Sequence, residues 1–202
     1  MSPPREVEGR KSRVETRKRP PRRAALDARR STLDQALRQV RLFLCDVDGV
    51  MTDGSVWMGA EVETKRFNIR DGLGLKFLQR NGIRVGWVSR RPSAATRPRA
   101  EDLKIDFLVQ LDGGKVAAVE SILRKSGLNW SQVCYVGDDI VDLGVMERVG
   151  VAVAVGDGVA EAKAAADYVT KAAGGRGAVR ETVELILRAQ DKWKSVIAEY
   201  AA

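Results

Sequence analysis

What most constrains this chain is where its apolar runs stop. Leu42 to Cys45 has the length and composition of a buried parallel strand, and it breaks off at Asp46, Asp48 and Gly49. Ile83 to Val88 stops at Ser89, and Val133 to Val136 stops at Gly137-Asp138-Asp139, with Asp142 three residues on. Between them, Lys115 opens a helical stretch with Val116, Val119, Ile122 and Leu123 on one face, ended by Gly127. Strands alternating with helices make a parallel sheet, and such sheets bind ligands in the crevice beyond the carboxyl ends of their strands. Asp46, Asp48, Ser89, Lys115 and Asp138 are therefore expected at one edge of one sheet.

The remaining segments fit that frame. Asp106 to Gln110, Val151 to Val155 and Tyr168 to Thr170 read as further strands. Helices are expected from Asp71-Gly72 to about Gly82, over Pro92 to Leu103, from about Ala160, and after Arg176. The tail DKWKSVIAEYAA has the spacing to extend that last helix through Trp193, Ile197 and Tyr200. Ser55 to Met58 and Glu63 to Asn68, separated by Gly59-Ala60, suit a β-hairpin projecting over the strand ends as a flap, placed at about residues 54–69. The fold class is α/β, a single Rossmann-like three-layer domain spanning 39–202.

Ahead of it, residues 1–38 form a basic extension rich in Arg, Lys and Pro, expected to be disordered over its first 30 residues, with a short helix from Ser31 to Val40 capped by Ser31 or Thr32. Of 35 basic and 27 acidic side chains, 13 and 5 fall in residues 1–41, so 22 of each remain and the folded part is formally neutral. Any affinity for nucleic acid would rest on the extension, which interleaves no aromatic residue for base stacking and so does not favour it. No apolar run is long enough to cross a membrane, and a cytoplasmic protein is expected. Cys45 and Cys134 read as small apolar fillers of buried strands.

The absence of histidine removes imidazole catalysis and imidazole zinc sites. An EF-hand reading from Asp46 fails, because positions six and twelve hold Met51 and Trp57 in place of Gly and Glu. Carboxylates at Asp46 and Asp138, with a backbone carbonyl and waters, make an oxygen-only site suited to Mg2+, which binds few protein ligands and shares substrate phosphate. Lys115 and Ser89 supply charge and hydrogen bonds for phosphate oxygens, and Asp46 is placed to attack phosphorus. Arg70, Arg176 and Arg180 are candidate holders of a substrate carboxylate, with substrate contact favoured for Arg70 and Arg176; the alternative is that Arg70 pairs with a nearby acid and that Arg176 and Arg180 decorate a helix start. Gly174, Gly175 and Gly177 would let backbone amides approach an anion.

These residues carry a resemblance. DVDGV at 46–50, Ser89, Lys115 and GDDIVD at 137–142 resemble, in order, the four motifs of the haloacid-dehalogenase superfamily of phosphohydrolases. The resemblance implies that Asp46 is the nucleophile forming an aspartyl-phosphate and that Asp48 protonates the leaving alcohol and then activates water. It also implies that the Asp48 carbonyl faces the metal, that Asp138 is a ligand, and that Asp139 and Asp142 support the metal site. Over about residues 41–190 the chain is more closely similar to the 3-deoxy-D-manno-octulosonate 8-phosphate phosphatase family, through DVDGVMTDG, FNIRDGLGLK, YVGDDIVDLGVMERVG, ADYVT and above all GGRGAVRE. That likeness implies a hairpin flap in place of a cap domain, a sugar acid phosphate substrate in lipopolysaccharide precursor synthesis, Gly175 beside Arg176 at the substrate, and a homotetramer in which a neighbour covers the open site. Two departures stand out: Ser89-Arg90-Arg91, where the family's second motif has glycine after its hydroxyl residue, and a tail lacking the family's glycine-rich look.

Four alternatives stand beside this reading. A dehalogenase, which needs no metal and so neither Asp48 nor the cluster of Asp138, Asp139 and Asp142, is disfavoured. Another is the same chemistry on a nine-carbon keto sugar acid 9-phosphate, with flap residues Val62 to Asn68 deciding. A noncatalytic binding module is disfavoured by its intact acids. A mutase would need a cap, and none is legible.

Overall fold

The computed structural model describes residues 22–60 and 62–201. A six-stranded sheet runs in the order β5 (Phe107–Gln110), β4 (Arg84–Ser89), β1 (Leu42–Cys45), β6 (Val133–Gly137), β7 (Val151–Ala154), β8 (Tyr168–Val169). Every neighbouring pair is parallel. Parallel pairing needs crossover connections, and these supply helices to both faces. All four residues of β1 are buried, and they alternate between the two resulting cores. Phe43 and Cys45 join a core with α1 (Arg22–Gln39), α2 (Ile69–Arg80), α3 (Arg97–Leu103) and α7 (Ala178–Ala189). Leu42 and Leu44 join one with α4 (Lys115–Ser126), α5 (Leu143–Met146) and α6 (Ala160–Ala165). The three-layer α/β domain expected from the alternation is the architecture found.

The strand order fixes the site. After β1 the chain adds β4 and β5 on one side, then returns to the other side for β6, β7 and β8. Connections leaving β1 and β6 therefore diverge, opening a crevice at their carboxyl ends, where Asp46 and Asp138 follow directly. The flap is a separate two-stranded antiparallel hairpin of β2 (Trp57–Met58) and β3 (Glu63–Thr64), inserted between β1 and α2.

Three boundaries differ from expectation. Helix α1 covers Arg22–Gln39, so Ser31 and Thr32 lie within it and do not cap it, and residues 22–30, expected to be disordered, are helical; for residues 1–21 that expectation lies outside the described residues. Helix α3 starts at Arg97, not Pro92, because proline fits the first turn of a helix, where its missing N–H has no partner to lose. The tail does not extend α7. Gln190 ends that helix, Asp191 takes a left-handed φ of 59°, and α8 (Trp193–Ala201) folds back as a separate helix. The reason is aromatic burial: Trp193 and Tyr200 both pack edge-on against Phe77 of α2, and Trp193 and Val196 are buried.

Candidate active site

Asp46 leaves β1 buried, and both its carboxylate oxygens are engaged. Oδ1 accepts a 2.6 Å hydrogen bond from the Val47 N–H, and Oδ2 lies 2.7 Å from Lys115 Nζ. Lys115, on the first turn of α4, is itself buried and donates a second short bond of 2.6 Å to Asp142 Oδ1. Asp142, fully buried, also accepts from the Tyr135 hydroxyl at 2.5 Å and, through Oδ2, from the Asp138 and Asp139 amides at 3.1 and 3.3 Å. Its oxygens are committed inside the protein, and its role is to hold Lys115 and the turn that carries Asp138. Tyr135 is a residue that sequence reasoning missed, since an apolar strand hides its one polar atom.

Oxygens of Asp46, Asp138 and Asp142 lie within 4.8 Å of one another. Like charges so close, and largely shielded from water, resist ionisation. Burial, opposed by Lys115 and reinforced by Asp142, pushes Asp46 up to about 6. Burial, then Asp142 and Asp46, pushes Asp138 up to about 8. Burial alone would lower Lys115, but Asp142 and Asp46 outweigh it and the ammonium is held above its ordinary value. Asp138 Oδ1 is buried without a hydrogen-bond partner. A cluster of hard oxygen donors with excess negative charge and an orphaned carboxylate oxygen fits a divalent cation such as Mg2+.

The cradle is tight. Gly49 has φ 91°, and a Cβ there would stand 2.0 Å from Asp138 Oδ2, so only glycine lets the turn after Asp48 lie under that carboxylate. From the other side a Cβ on Gly174 would stand 1.7 Å from the Gly49 carbonyl oxygen. The glycine-rich loop thus packs against the turn that follows Asp48. Its amides are spent within the protein: Gly174 N–H donates to Asp157, Gly175 to the Val50 carbonyl of that turn, Arg176 to the Ala173 carbonyl and Gly177 to Asp71. The expectation that these amides meet an anion is corrected accordingly. Gly175 instead lines, with Arg176, a cavity of about 250 Å³ completed by Arg66, Phe67, Asn68 and Ile69.

Other expected residues fall as follows. Ser89 is buried at the end of β4, its hydroxyl exchanging hydrogen bonds of 3.1 Å with the Arg91 amide and carbonyl. Arg90 is exposed and takes no positive φ, so an arginine in place of glycine costs the backbone nothing there. Asp139 is exposed, outside the cluster, and caps its own turn through Ile140 N–H. The Asp48 carboxylate also stands outside it and meets Lys65 of the flap. Arg176 lies 3.6 Å from Asp53, which also pairs with Arg66 at 2.5 Å. Arg70 is exposed on the first turn of α2, beside the cavity residue Ile69. Arg180 is not in the cavity, stacking its guanidinium over Phe77 and Trp193 at 5.0 and 5.2 Å. Asp71, also missed, is fully buried and caps the start of α7 from α2, accepting from Gly177 and Arg180 N–H.

An aspartate clamped to a buried lysine, at the switch point of a parallel sheet and near a second aspartate from the neighbouring strand, is the arrangement that the resemblance to the haloacid dehalogenase-like hydrolases implies. The model of a family so described matches residues 107–181. Over 159 residues the chain is 43% identical to 3-deoxy-D-manno-octulosonate 8-phosphate phosphatase of Yersinia pestis, covering 78% of this chain and 85% of the relative. It is equally 43% identical over 154 residues to the Escherichia coli K12 enzyme of the same name, covering 76% and 82%. The crystal structure of the Moraxella catarrhalis phosphatase, in complex with magnesium ion, phosphate ion and KDO, superposes with a TM-score of 0.81 at 37% identity, covering 83% of this chain and 97% of the other. The chain belongs to the 3-deoxy-D-manno-octulosonate 8-phosphate phosphatase family.

Proposed function

We propose that this chain is a magnesium-dependent phosphatase that hydrolyses 3-deoxy-D-manno-octulosonate 8-phosphate to the free sugar acid and phosphate, a step of lipopolysaccharide precursor synthesis. The observation that carries the reading is the buried Asp46–Lys115–Asp142 clamp beside Asp138, in a chain whose relatives bear that name. Asp46, Asp138 and the Asp48 carbonyl would hold Mg2+, with Asp139 and Asp142 supporting from outside. When bound, the cation supplies the positive charge that offsets repulsion between a carboxylate nucleophile and a phosphate dianion.

The chain's own groups do the rest. Val47 N–H and Lys115 fix the Asp46 carboxylate in one orientation, and the third N–H of Lys115 remains for a phosphoryl oxygen; the Ser89 hydroxyl, which donates to the Arg91 carbonyl, would turn from it to join Lys115 on the phosphate. An Asp46 oxygen bonds to phosphorus as the P–O bond to the sugar breaks, and the departing oxygen takes a proton from Asp48. In the second half, a water gives its proton to Asp48 as its oxygen displaces Asp46 from phosphorus. Arg176, which lines the cavity, and Arg70, next in the chain to the lining residue Ile69, would hold the sugar carboxylate, and Gly175 forms part of the cavity wall.

The reading extends to assembly and compartment. Trp57, Met58 and Val62 of the flap, and Ile69 just after it, are 63–73% exposed, and an apolar cluster on a small hairpin supports a homotetramer in which flaps meet neighbouring chains. Cys45 and Cys134 stand as buried free thiols, which suits the cytoplasm. Among the described residues no helix is long and apolar enough to cross a membrane.

The test is phosphate release, with and without Mg2+, from the eight-carbon and nine-carbon keto sugar acid phosphates, hexose phosphates and a nucleotide. Expected is a kcat/KM at least about tenfold higher for the eight-carbon substrate, equivalent to about 1.4 kcal/mol, with Asp46→Asn inactive on all. Retained turnover by Asp46→Asn, or without metal, would overturn the mechanism. A nine-carbon preference would keep the mechanism and change the substrate.

A further inference from the structure

One charged side chain is buried at the site without a part in this mechanism. Lys65 follows the second strand of the flap, and its side chain is 0% exposed. A lysine pays heavily in lost hydration to be buried, and stays charged there only if its donors are taken up. Here Nζ lies 2.7 Å from Asp48 Oδ1 and donates to Oδ2 at 2.9 Å, donates to Thr96 Oγ at 3.2 Å, and lies 3.8 Å from Glu63 Oε1. Thr96, at the head of α3, is itself fully buried. Glu63 in turn receives both arms of the Arg91 guanidinium, at 2.6 and 2.7 Å, and the Ser93 hydroxyl at 2.6 Å. The result is an alternating ladder, Asp48–Lys65–Glu63–Arg91, linking the catalytic turn, the flap and the loop after Ser89.

This ladder accounts for an asymmetry between the two catalytic acids. Asp46 points into the metal cluster, while Asp48, two residues on, has its carboxylate outside that cluster and turned toward the flap. Nothing on the catalytic turn itself is shown holding Asp48 that way; its oxygens meet Lys65. We propose that Lys65 is a positioning residue for proton transfer to the leaving group, holding the Asp48 carboxylate on the flap side of the site, with Glu63 and Arg91 holding Lys65. The inference rests on the phosphatase reading and on Asp48 as its acid. It also makes the flap a bolted part of the catalytic apparatus, beyond a cover.

The test exploits leaving groups. Departure of a sugar alkoxide needs a proton, whereas p-nitrophenolate departs without one. The parameter kcat/KM covers steps through phosphoryl transfer to Asp46, which is where the leaving group departs. Lys65→Met is expected to lower kcat/KM by at least about tenfold for the eight-carbon sugar acid phosphate, a part of the roughly 10²–10⁴-fold that a positioned acid contributes. For p-nitrophenyl phosphate the loss should stay below about threefold. Glu63→Gln, which leaves Lys65 on Asp48, should show the same pattern weakly, and melting curves establish that each variant is folded. Equal losses on both esters, or none on the sugar phosphate, would overturn the proposal while leaving the phosphatase reading intact. If the unmodified enzyme turned over neither ester, both would fall.

Discussion

Replacing Gly49 by alanine tests the metal site without substituting any residue whose side chain would bind the cation. The added methyl would stand 2.0 Å from Asp138 Oδ2 and 2.6 Å from Asp138 Cγ. Carbon and oxygen do not approach closer than roughly 3 Å without strain, so the carboxylate must retreat by about 1 Å or the turn must open. Mg2+ accepts oxygen ligands only near 2.0–2.1 Å in octahedral geometry, so about 1 Å of displacement removes Asp138 from the coordination sphere. A misplacement of that size costs on the order of 10²-fold in rate, about 2.7 kcal/mol of transition-state stabilisation. The left-handed backbone adds a cost of about 1–2 kcal/mol to folding, because Gly49 sits at φ 91°. For a chain of this size that lowers Tm by roughly 2–8 °C, too little to unfold the protein at 25 °C. The assay is phosphate release as a function of Mg2+ concentration, beside a melting curve. Expected is a half-saturating Mg2+ concentration raised at least about tenfold, with kcat at saturation still depressed. A folded Gly49→Ala enzyme with unchanged Mg2+ dependence would refute the assignment of Asp138 to the cation.

Two further outcomes follow from the same structure. Asp46 and Asp138 are raised from an ordinary 3.8 to about 6 and about 8, so the metal-free fold binds protons more tightly than the unfolded chain does. Their favourable contribution is complete below 3.8 and lost as pH rises through about 6 and then about 8, while the lowered groups Glu63, Asp53 and Glu181 titrate below that window. Tm in chelator should therefore fall between about pH 5 and pH 8.5, with Mg2+ restoring it at the upper end; a rising or flat profile would contradict the crowding of these acids. Ending the chain after Gln190 removes α8 and with it buried Trp193 and Val196. At about 1.5–3 kcal/mol for each buried side chain, the truncated protein should lose about 3–6 kcal/mol in denaturant unfolding. A truncation without effect on stability would mean that the tail does not belong on α2.

Much of the site could be read before any coordinates, because its chemistry sits in short contiguous stretches at strand ends. Asp46, Asp138 and Lys115 needed only the rule that a parallel sheet presents its carboxyl ends to one crevice, and the rule holds because each right-handed crossover returns the chain to the same edge. The missing histidine left acids, lysine, serine and arginine to carry any chemistry, and charge partition confined any case for nucleic-acid binding to the leading segment. What the linear chain concealed were contacts between residues remote in sequence. Tyr135 looks like one more apolar strand residue until its hydroxyl meets Asp142, and Asp71 looks like a helix start until it caps α7, 106 residues on. Lys65 looks like a solvated flap charge until the hairpin folds over Asp48. The glycine-rich loop was legible as special, but whether its amides face a ligand or the protein depends on which backbone lies opposite, and that is Val50 and its neighbours. The tail's periodicity allowed a continued helix, and burial of Trp193 against Phe77 made a turn at Asp191 the lower free-energy course. Sequence alone determined the parallel sheet and the order in which Asp46, Ser89, Lys115 and Asp138 follow its strands, since these depend on local pattern and chain direction. Which acids lie within reach of a cation, which lysine holds which carboxylate, and where the C-terminal helix lies were decided by tertiary packing, because each depends on the distance between segments that the chain itself keeps apart.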